Sequence, residues 1–199
     1  NPKSTYARTK NECEKIIKNS KINAIILRFF NVCSSLQIKK KIIGEFHNPE
    51  THLIPTIVYK NLIKQKIYIY GDNYKTKDGT CVRDYVHIKD ICNAIEKSIK
   101  FLFKNKNNYE IINIGSSTKK TNLEILNAIE KITKIENNFK IVKRRKGDVD
   151  FLSCSIIKAK QKIKWKPIYS NIKNIIKDEI KWVNYLIKNK KFRKFKNYL

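Results

Sequence analysis

The stretch INAIILRFF, residues 22–30, decides the fold. It is an almost uninterrupted apolar run of strand length, which is typical of a strand buried in a core. The residues before it, from about Ser4 to Asn19, predict a helix. A helix that leads directly into a buried strand indicates a fold in which the two kinds of element alternate.

The rest of the chain continues this alternation, with irregular segments predicted at 31–50 and 74–83. The other predicted elements are a helix at 53–65, a strand at 67–70, a helix with the inward stripe Ile91, Ile95, Ile99 and Leu102, a strand at 110–114, a helix at 123–132, a strand at 139–142 and a helix at 171–187 with Ile172, Ile176, Ile180, Val183 and Ile187 inward. No repeat or Gly/Ser/Pro-rich linker interrupts the series. The sequence therefore predicts one connected α/β or α+β body.

The composition is strongly basic. The 199 residues include 44 Lys or Arg and 17 Asp or Glu, a formal net charge of +27. A basic surface attracts nucleic acid or phosphorylated ligands, which is one interpretation. The other is compositional drift toward Lys, Ile and Asn, and we favour it because lysines recur along the whole chain and only residues 188–196 form a real cluster. No specific nucleic-acid partner is expected.

Further features bear on cellular context. No apolar run reaches the roughly 18 residues that a membrane span needs, and the start does not resemble a signal peptide, so a cytoplasmic protein without a membrane partner is expected. The five cysteines are scattered without a CxxC pair, which predicts free thiols in a reducing compartment. The chain has no methionine and opens with Asn1-Pro2, which indicates a processed chain or a fragment.

The pair Tyr6 and Lys10 is the first candidate for chemistry. Their spacing puts both side chains on one face of the predicted helix, where the ammonium would stabilise the phenolate. A tyrosine in that setting can take a proton from a sugar hydroxyl while hydride leaves the same carbon. The spacing alone is weak evidence, because the chain repeats it at Tyr85/Lys89 and Tyr169/Lys173. The alternative is a surface tyrosine stacked on a lysine stem.

What singles out the first pair is a set of motifs in a fixed order. They are NPKSTYARTK at 1–10, LRFFN at 27–31, NPETHLIP at 48–55, GDNY at 71–74, DGTCVRDYVH at 78–87, NIG at 113–115 and RRKGD at 144–148. The set resembles the C-terminal part of the UDP-glucose 4-epimerases, members of the extended short-chain dehydrogenase/reductase family. The resemblance extends over nearly the whole chain, to Trp182 near its end.

The resemblance implies an α/β fold of the NAD(P)-binding Rossmann type, mainly its smaller substrate-binding lobe. Residues 1–30 would end the dinucleotide-binding domain, and residues 31–199 would form the sugar-nucleotide lobe. The implied activity interconverts UDP-glucose and UDP-galactose through a 4-keto intermediate, with NAD as the cofactor. Family members form homodimers, through helices near the Tyr6–Lys10 element.

The resemblance also implies roles for individual residues. Tyr6 would be the acid/base, Lys10 would stabilise it and hold the nicotinamide ribose, and Phe29 would complete the cofactor side. The implied substrate-binding residues are Phe30, Asn31, His52 and Leu53 around the nucleotide-sugar, Tyr68 and Tyr70 around the uracil, Arg83 and Arg145 on the diphosphate, and Asp148 on the uridine ribose.

Physical chemistry supports the arginine assignment independently. A diphosphate needs convergent fixed cations, and the planar guanidinium suits phosphate oxygens better than an ammonium does. The alternatives are an ion pair of Arg83 with the adjacent Asp84, and a solvated basic turn around Arg145. His52 and His87 lack metal partners at ligand spacing, so no metal site is expected.

Three departures from the family pattern matter. The five glycines contain no GxxGxxG, so the turn that binds the pyrophosphate is missing and the chain alone is expected to be inactive. After Asn31 the family has a small Gly/Ala-rich turn, whereas this chain has Val32 to Ser35. The position that gates the hexose pocket carries Leu152, which leaves the choice between UDP-hexose and UDP-N-acetylhexosamine open.

Three alternatives to an epimerase segment stand. The chain could act on a nucleotide-sugar as a dehydratase, decarboxylase or reductase, although the DGTCVRDYVH string weighs against this. It could be a basic nucleic-acid-binding module, although it lacks an interleaved aromatic/basic strand or zinc spacing. It could also have no independent function, and an incomplete parallel sheet predicts poor solubility for the chain alone.

Overall fold

The structure is a computed structural model that describes residues 4–47, 49–106 and 108–189. The opening Asn1-Pro2, Asn48 of the NPETHLIP motif and most of the basic tail cluster lie outside these ranges. The helices are α1 (Thr5–Asn19), α2 (Leu53–Leu62), α3 (Ile88–Lys104), α4 (Asn122–Thr133), α5 (Ile157–Lys162) and α6 (Ile172–Lys188). The strands are β1 (Ala24–Phe29), β2 (Asn31–Cys33), β3 (Leu36–Ile38), β4 (Lys41–Ile43), β5 (Ile67–Tyr70), β6 (Val82–Arg83), β7 (Tyr85–His87), β8 (Tyr109–Ile114), β9 (Lys120–Thr121), β10 (Phe139–Val142) and β11 (Phe151–Leu152).

Parallel strand pairing joins parts of the chain that are far apart in sequence. β1 pairs with β8 from Ala24↔Tyr109 to Phe29↔Ile114, and β2 pairs with β7. β5 pairs in parallel with β10, and β6 lies between β11, which is parallel to it, and β9, which is antiparallel. Because helices connect these parallel pairs, the predicted α/β class is confirmed.

A first apolar core packs α2, α4 and α6 against β5. Its fully buried members include Ile57, Ile69, Ile125 and Ile176. Of the five α6 residues predicted to point inward, Ile176 and Val183 are buried, and the other three pack at the edge of this core. The buried face of α6 also includes Ile175, Glu179, Trp182 and Leu186, so it is wider than a single row of apolar residues.

A second core lies between α3, α5 and the β7 and β8 strands. Trp165 is completely buried there, and its indole Nε1 donates a 3.0 Å hydrogen bond to the carbonyl oxygen of Asp90. The Asp90 carboxylate in turn accepts hydrogen bonds from the backbone nitrogens of Ile168 and Tyr169. A single buried acid thus fixes the segment from Trp165 to Tyr169, which leads into α6.

Two expectations about local structure were wrong. Residues 31–50 contain β2, β3 and β4 rather than irregular chain, because three-residue strands are too short to show a periodic pattern. The stripe predicted on the third long helix also differs, since Ile95 and Ile99 are 40% and 48% exposed. The face that packs inward carries Asp90, Ile91, Ala94 and Ser98, whose small members allow a close approach to the strands.

None of the described helices has the length and the apolar composition that crossing a bilayer requires.

The buried carboxylate of Asp84, between β6 and β7, connects three distant segments. Its Oδ1 accepts hydrogen bonds from the backbone nitrogen and the hydroxyl of Ser116, at 2.8 and 2.6 Å, and its Oδ2 accepts one from the backbone nitrogen of Ser117. Its carbonyl oxygen accepts one from the backbone nitrogen of Asn31. Gly115 is needed beside it, because a Cβ there would lie 2.8 Å from Oδ2.

We expect Asp84→Ala to lower the free energy of unfolding by about 2–4 kcal/mol, because it leaves several buried donors without an acceptor. Urea denaturation followed by circular dichroism measures the change. Asp72→Ala is the matched control, since Asp72 is exposed, and it should shift stability by no more than about 0.5 kcal/mol. Equal effects of the two substitutions would contradict the role of Asp84.

Candidate functional site

A cavity of about 320 Å³ opens between the N-terminal end of α2 and strands β5 and β6. Its walls include eight of the nine residues that the sequence assigned to substrate binding. These are Asn31, His52, Leu53, Tyr68, Tyr70, Arg83, Arg145 and Asp148. The ninth, Phe30, is half-buried and is not part of the wall. The structure therefore brings together side chains that are spread over more than half of the chain.

The two predicted arginines both line this cavity, and contacts with neighbouring groups hold each of them in place. The Arg145 guanidinium stacks on the Tyr70 ring, 3.9 Å from its centroid. Arg83 is mostly buried, donates to the carbonyl oxygens of Val82 and Val149, and lies 3.4 Å from Asp148 Oδ1. The alternative ion pair of Arg83 with Asp84 is not formed, because the Asp84 carboxylate is used by the serines after β8.

Asn31 supplies an unsatisfied donor in the cavity wall. Its side-chain nitrogen Nδ2 is buried and has no hydrogen-bond partner among the described residues. A buried amide without a partner costs free energy unless a ligand or water satisfies it. The cavity thus combines two cations, a free amide donor and aromatic rings, a donor set that suits a phosphorylated ring compound.

Several wall residues were not predicted from the sequence, and Glu50 is the most informative of them. Its side chain is fully buried, and its Oε1 accepts hydrogen bonds from the backbone nitrogens of Thr51 and His52, at 2.8 and 2.7 Å. These amides immediately precede Leu53, the first residue of α2, so the glutamate fixes the chain as it enters the helix. An acid just before a helix was the available signal. Cys81 and Asn122, which also line the wall, left no such signal.

A second buried acid lies close to Glu50. Burial first, and then the nearby carboxylates of Glu45 and Glu50, raise the pKa of Glu179 to about 8. Its Oε1 has no hydrogen-bond partner within the described parts of the chain. Acidic groups are therefore concentrated on this side of the cavity, in a chain that is otherwise strongly basic.

The residues predicted for catalysis and cofactor binding do not lie in this cavity. Tyr6 is 71% exposed on α1, with the Lys10 ammonium 5.5 Å from its ring centroid, and Phe29 is 46% exposed. Helix α1 buries none of its residues, although Ser4 caps it. Arg28 holds it by two hydrogen bonds to Glu14, which lower the pKa of that carboxyl.

The other two tyrosine–lysine pairs have different environments. Tyr85 is buried in the first core, and burial raises the pKa of its phenol above the ordinary value, which disfavours acid/base work near neutral pH. Lys89 does not face Tyr85 but stacks on Tyr169, 5.1 Å from its ring centroid. Tyr6 and Lys10 thus contact each other at the surface, whereas Tyr85 is buried and Lys89 contacts a different tyrosine.

The side chains predicted for the cofactor are of types that suit one end of NAD. The exposed Tyr6, Lys10 and Phe29 side chains offer a phenol, an ammonium and a ring, which suits a ribose and a nicotinamide. The dinucleotide pyrophosphate needs a Gly-rich turn at a helix N-terminus, and the sequence contains no such spacing.

Parallel strand pairs with flanking helices place the chain in the class of Rossmann-type α/β proteins, and its structural neighbours are NAD-binding epimerases. The family model described as GDP-mannose 4,6 dehydratase matches residues 1–178. The chain belongs to this family.

Known relatives and structures agree with this assignment. The chain is 38% identical over 187 residues to the UDP-glucose 4-epimerase of Lactobacillus helveticus, an alignment that covers 92% of this chain and 56% of the relative. It superposes on the UDP-glucose 4-epimerase of Brucella ovis in complex with NAD with a TM-score of 0.83 and 30% identity, covering 92% of this chain and 57% of the other. The corresponding enzyme of Stenotrophomonas maltophila, with bound NAD and formylated UDP-arabinopyranose, gives 0.85 and 26%, covering 94% and 57%. The chain thus spans somewhat more than half the length of these proteins, and the predicted resemblance is confirmed.

The cysteines give a test of the cavity wall. Cys33 and Cys81 are buried, and burial raises the pKa of both thiols, while Cys154 is partly buried, with a pKa raised to about 12 by burial and by Asp84. Only Cys13 and Cys92 are exposed. Because the thiolate reacts and a raised pKa lowers its fraction, iodoacetamide at pH 8 should label these two in the folded chain and all five in urea. Intact mass spectrometry counts the labels. Rapid labelling of Cys81 in the folded chain would contradict its buried position in the cavity wall.

Proposed function

We propose that this chain is the sugar-nucleotide-binding part of a UDP-glucose 4-epimerase. The observation that carries the proposal is the cavity, which gathers Arg83, Arg145 and the free Asn31 amide beside two tyrosine rings. The curated relatives are epimerases of UDP-glucose, and a structural neighbour holds a UDP-sugar, which supports the same substrate class. In this proposal residues 1–30 belong to the dinucleotide domain and residues 31–199 to the lobe.

The proposed binding mode follows the polarity of the wall. Arg145 and Arg83 receive the two phosphate groups, because their guanidinium groups are fixed by ring stacking and by backbone carbonyls. Asp148 accepts from the uridine ribose, and Tyr68 and Tyr70 flank the uracil. Leu53 and His52, at the start of α2, contact the sugar together with the Asn31 amide and Phe30.

The proposed reaction interconverts UDP-glucose and UDP-galactose through a 4-keto sugar. When bound, NAD supplies the acceptor and donor of the hydride. The Tyr6 phenolate, which the Lys10 ammonium stabilises, takes the proton of the sugar 4-hydroxyl and becomes a phenol, and the phenol later returns this proton to the 4-keto oxygen. Tyr6 and Lys10 also hold the nicotinamide ribose, and Phe29 shields the ring. Homodimerisation, as in the family, stays a prediction.

Calorimetric titration with UDP tests the lobe directly. We expect saturable binding that Arg145→Ala weakens about tenfold or more, since the substitution removes a charge-assisted contact to phosphate. Arg144→Ala is the matched control, because Arg144 stacks on Tyr74 and pairs with Asp150 and is not part of the cavity wall. Absence of UDP binding by a folded sample, or equal loss in both variants, would overturn the proposed binding mode.

The cofactor side gives a separate expectation for the 199-residue chain. Titration with NAD should give no saturable heat, because the sequence lacks the turn that binds the pyrophosphate. Incubation with NAD and UDP-galactose should likewise yield no UDP-glucose by chromatography. Turnover by this chain would refute the expectation, and formation of a dehydrated or decarboxylated product would favour another reaction of the same family.

A further inference from the structure

We propose that Glu45, His47, Glu50 and His52 form a zinc-binding site at the rim of the cavity. These four side chains precede or begin α2, and one ligand atom from each lies within 4.8 Å of all the others. The two imidazole rings face each other, with their centroids 5.1 Å apart. No other grouping of three or more potential ligands of this kind occurs within residues 4–47, 49–106 and 108–189.

Three nitrogen–oxygen separations in the cluster are close to those that zinc requires. Bonds of about 2.0–2.1 Å in a tetrahedron place ligand atoms about 3.3–3.4 Å apart. His47 Nδ1 lies 3.4 Å from Glu45 Oε1, and His52 Nδ1 lies 3.4 Å from Glu45 Oε2. His52 Nδ1 is also 3.0 Å from Glu50 Oε1. The last contact is a hydrogen bond in this structure, which a shared ion would replace, and the four ligand atoms all lie within 4.8 Å of one another.

Burial gives an independent sign that a cation is needed. The Glu50 side chain is fully buried, and its second oxygen, Oε2, has no hydrogen-bond partner within the described residues. No lysine or arginine among those residues forms an ion pair with Glu50 or with the buried Glu179. A buried carboxylate oxygen without a partner is costly, and a bound divalent cation would compensate for it.

The donor types favour zinc over the harder cations. Two imidazole nitrogens with two carboxylate oxygens suit Zn²⁺, whereas Mg²⁺ and Ca²⁺ prefer oxygen donors throughout. His47 and His52 are about half exposed, which leaves a route of entry for the ion from solvent. The backbone amides of Thr51 and His52 orient Glu50, as outer hydrogen bonds do at known zinc sites.

This inference runs against the sequence expectation of no metal site, which considered His52 and His87 and did not pair His52 with His47. It is also independent of the proposed epimerase function. His52 and Glu50 line the cavity, but His47 does not, so its substitution separates metal binding from nucleotide binding.

The test is titration of the chain with ZnCl₂ by calorimetry, after alkylation of the exposed thiols. We expect one equivalent to bind, and His47→Ala and Glu50→Gln each to weaken binding by at least about tenfold. Glu136→Gln, at an exposed acid outside the cluster, is the matched control and should bind like the parent chain. Circular dichroism confirms that each variant is folded, and Glu45→Gln provides a further variant at the partly exposed ligand.

Cobalt substitution identifies the ligands. Tetrahedral Co²⁺ bound by nitrogen and oxygen gives visible absorption without the near-ultraviolet band of thiolate ligands. That spectrum, with UDP binding unchanged in His47→Ala, would support the site. A thiolate band, zinc binding unaffected by His47→Ala, or no binding by the folded chain would overturn it. If the folded parent chain binds zinc but does not bind UDP, the proposed function is contradicted and the zinc site is not.

Discussion

The buried carboxylate of Asp84 is the interaction on which the arrangement of the site depends. It follows Arg83, which faces the cavity, and precedes Tyr85, which enters the first core. By accepting hydrogen bonds from Ser116 and Ser117 it fixes the loop after β8, while its own carbonyl holds the start of β2. The side chains of Asn31 and Arg83 are therefore positioned by an acid that does not itself touch the cavity.

Acidic residues are scarce in this chain, and several of them occupy structural junctions. Asp90 joins the buried Trp165 turn to the residues that lead into α6, and Glu50 holds the start of α2. The many lysines lie mostly on solvated faces. A formal charge of +27 therefore says little about the interior, where the fold depends on a few carboxylates whose donors are mainly backbone amides.

Much of the fold could be predicted because long periodic or apolar segments carry strong signals. Strands such as β1 and β10 and the helices α1, α4 and α6 lie within a few residues of their predicted bounds. The short strands β2 to β4 could not be predicted, since their pairing depends on partners elsewhere in space. The cavity residues were predicted from the order of motifs, because that order identifies a family whose fold brings these residues together. Hydrophobic periodicity predicts helices and strands but not which distant residues meet. The order of motifs gave no indication of contacts such as the one between Glu45 and His52.

Helix α1 carries Tyr6 and Lys10, the pair proposed for acid/base chemistry, and buries none of its residues. Among the described residues, the fork between Arg28 and Glu14 and the hydrogen bond from the Tyr109 hydroxyl to the Glu14 carbonyl attach it to the rest of the chain. With so little apolar contact, such a helix opens locally at a small free-energy cost, and its amide hydrogens exchange through that opening rather than through global unfolding. A protein surface that covers the helix would suppress such opening. The alignment of Tyr6, the proposed acid/base, would then be an entropic consequence of assembly and not a property of the helix alone.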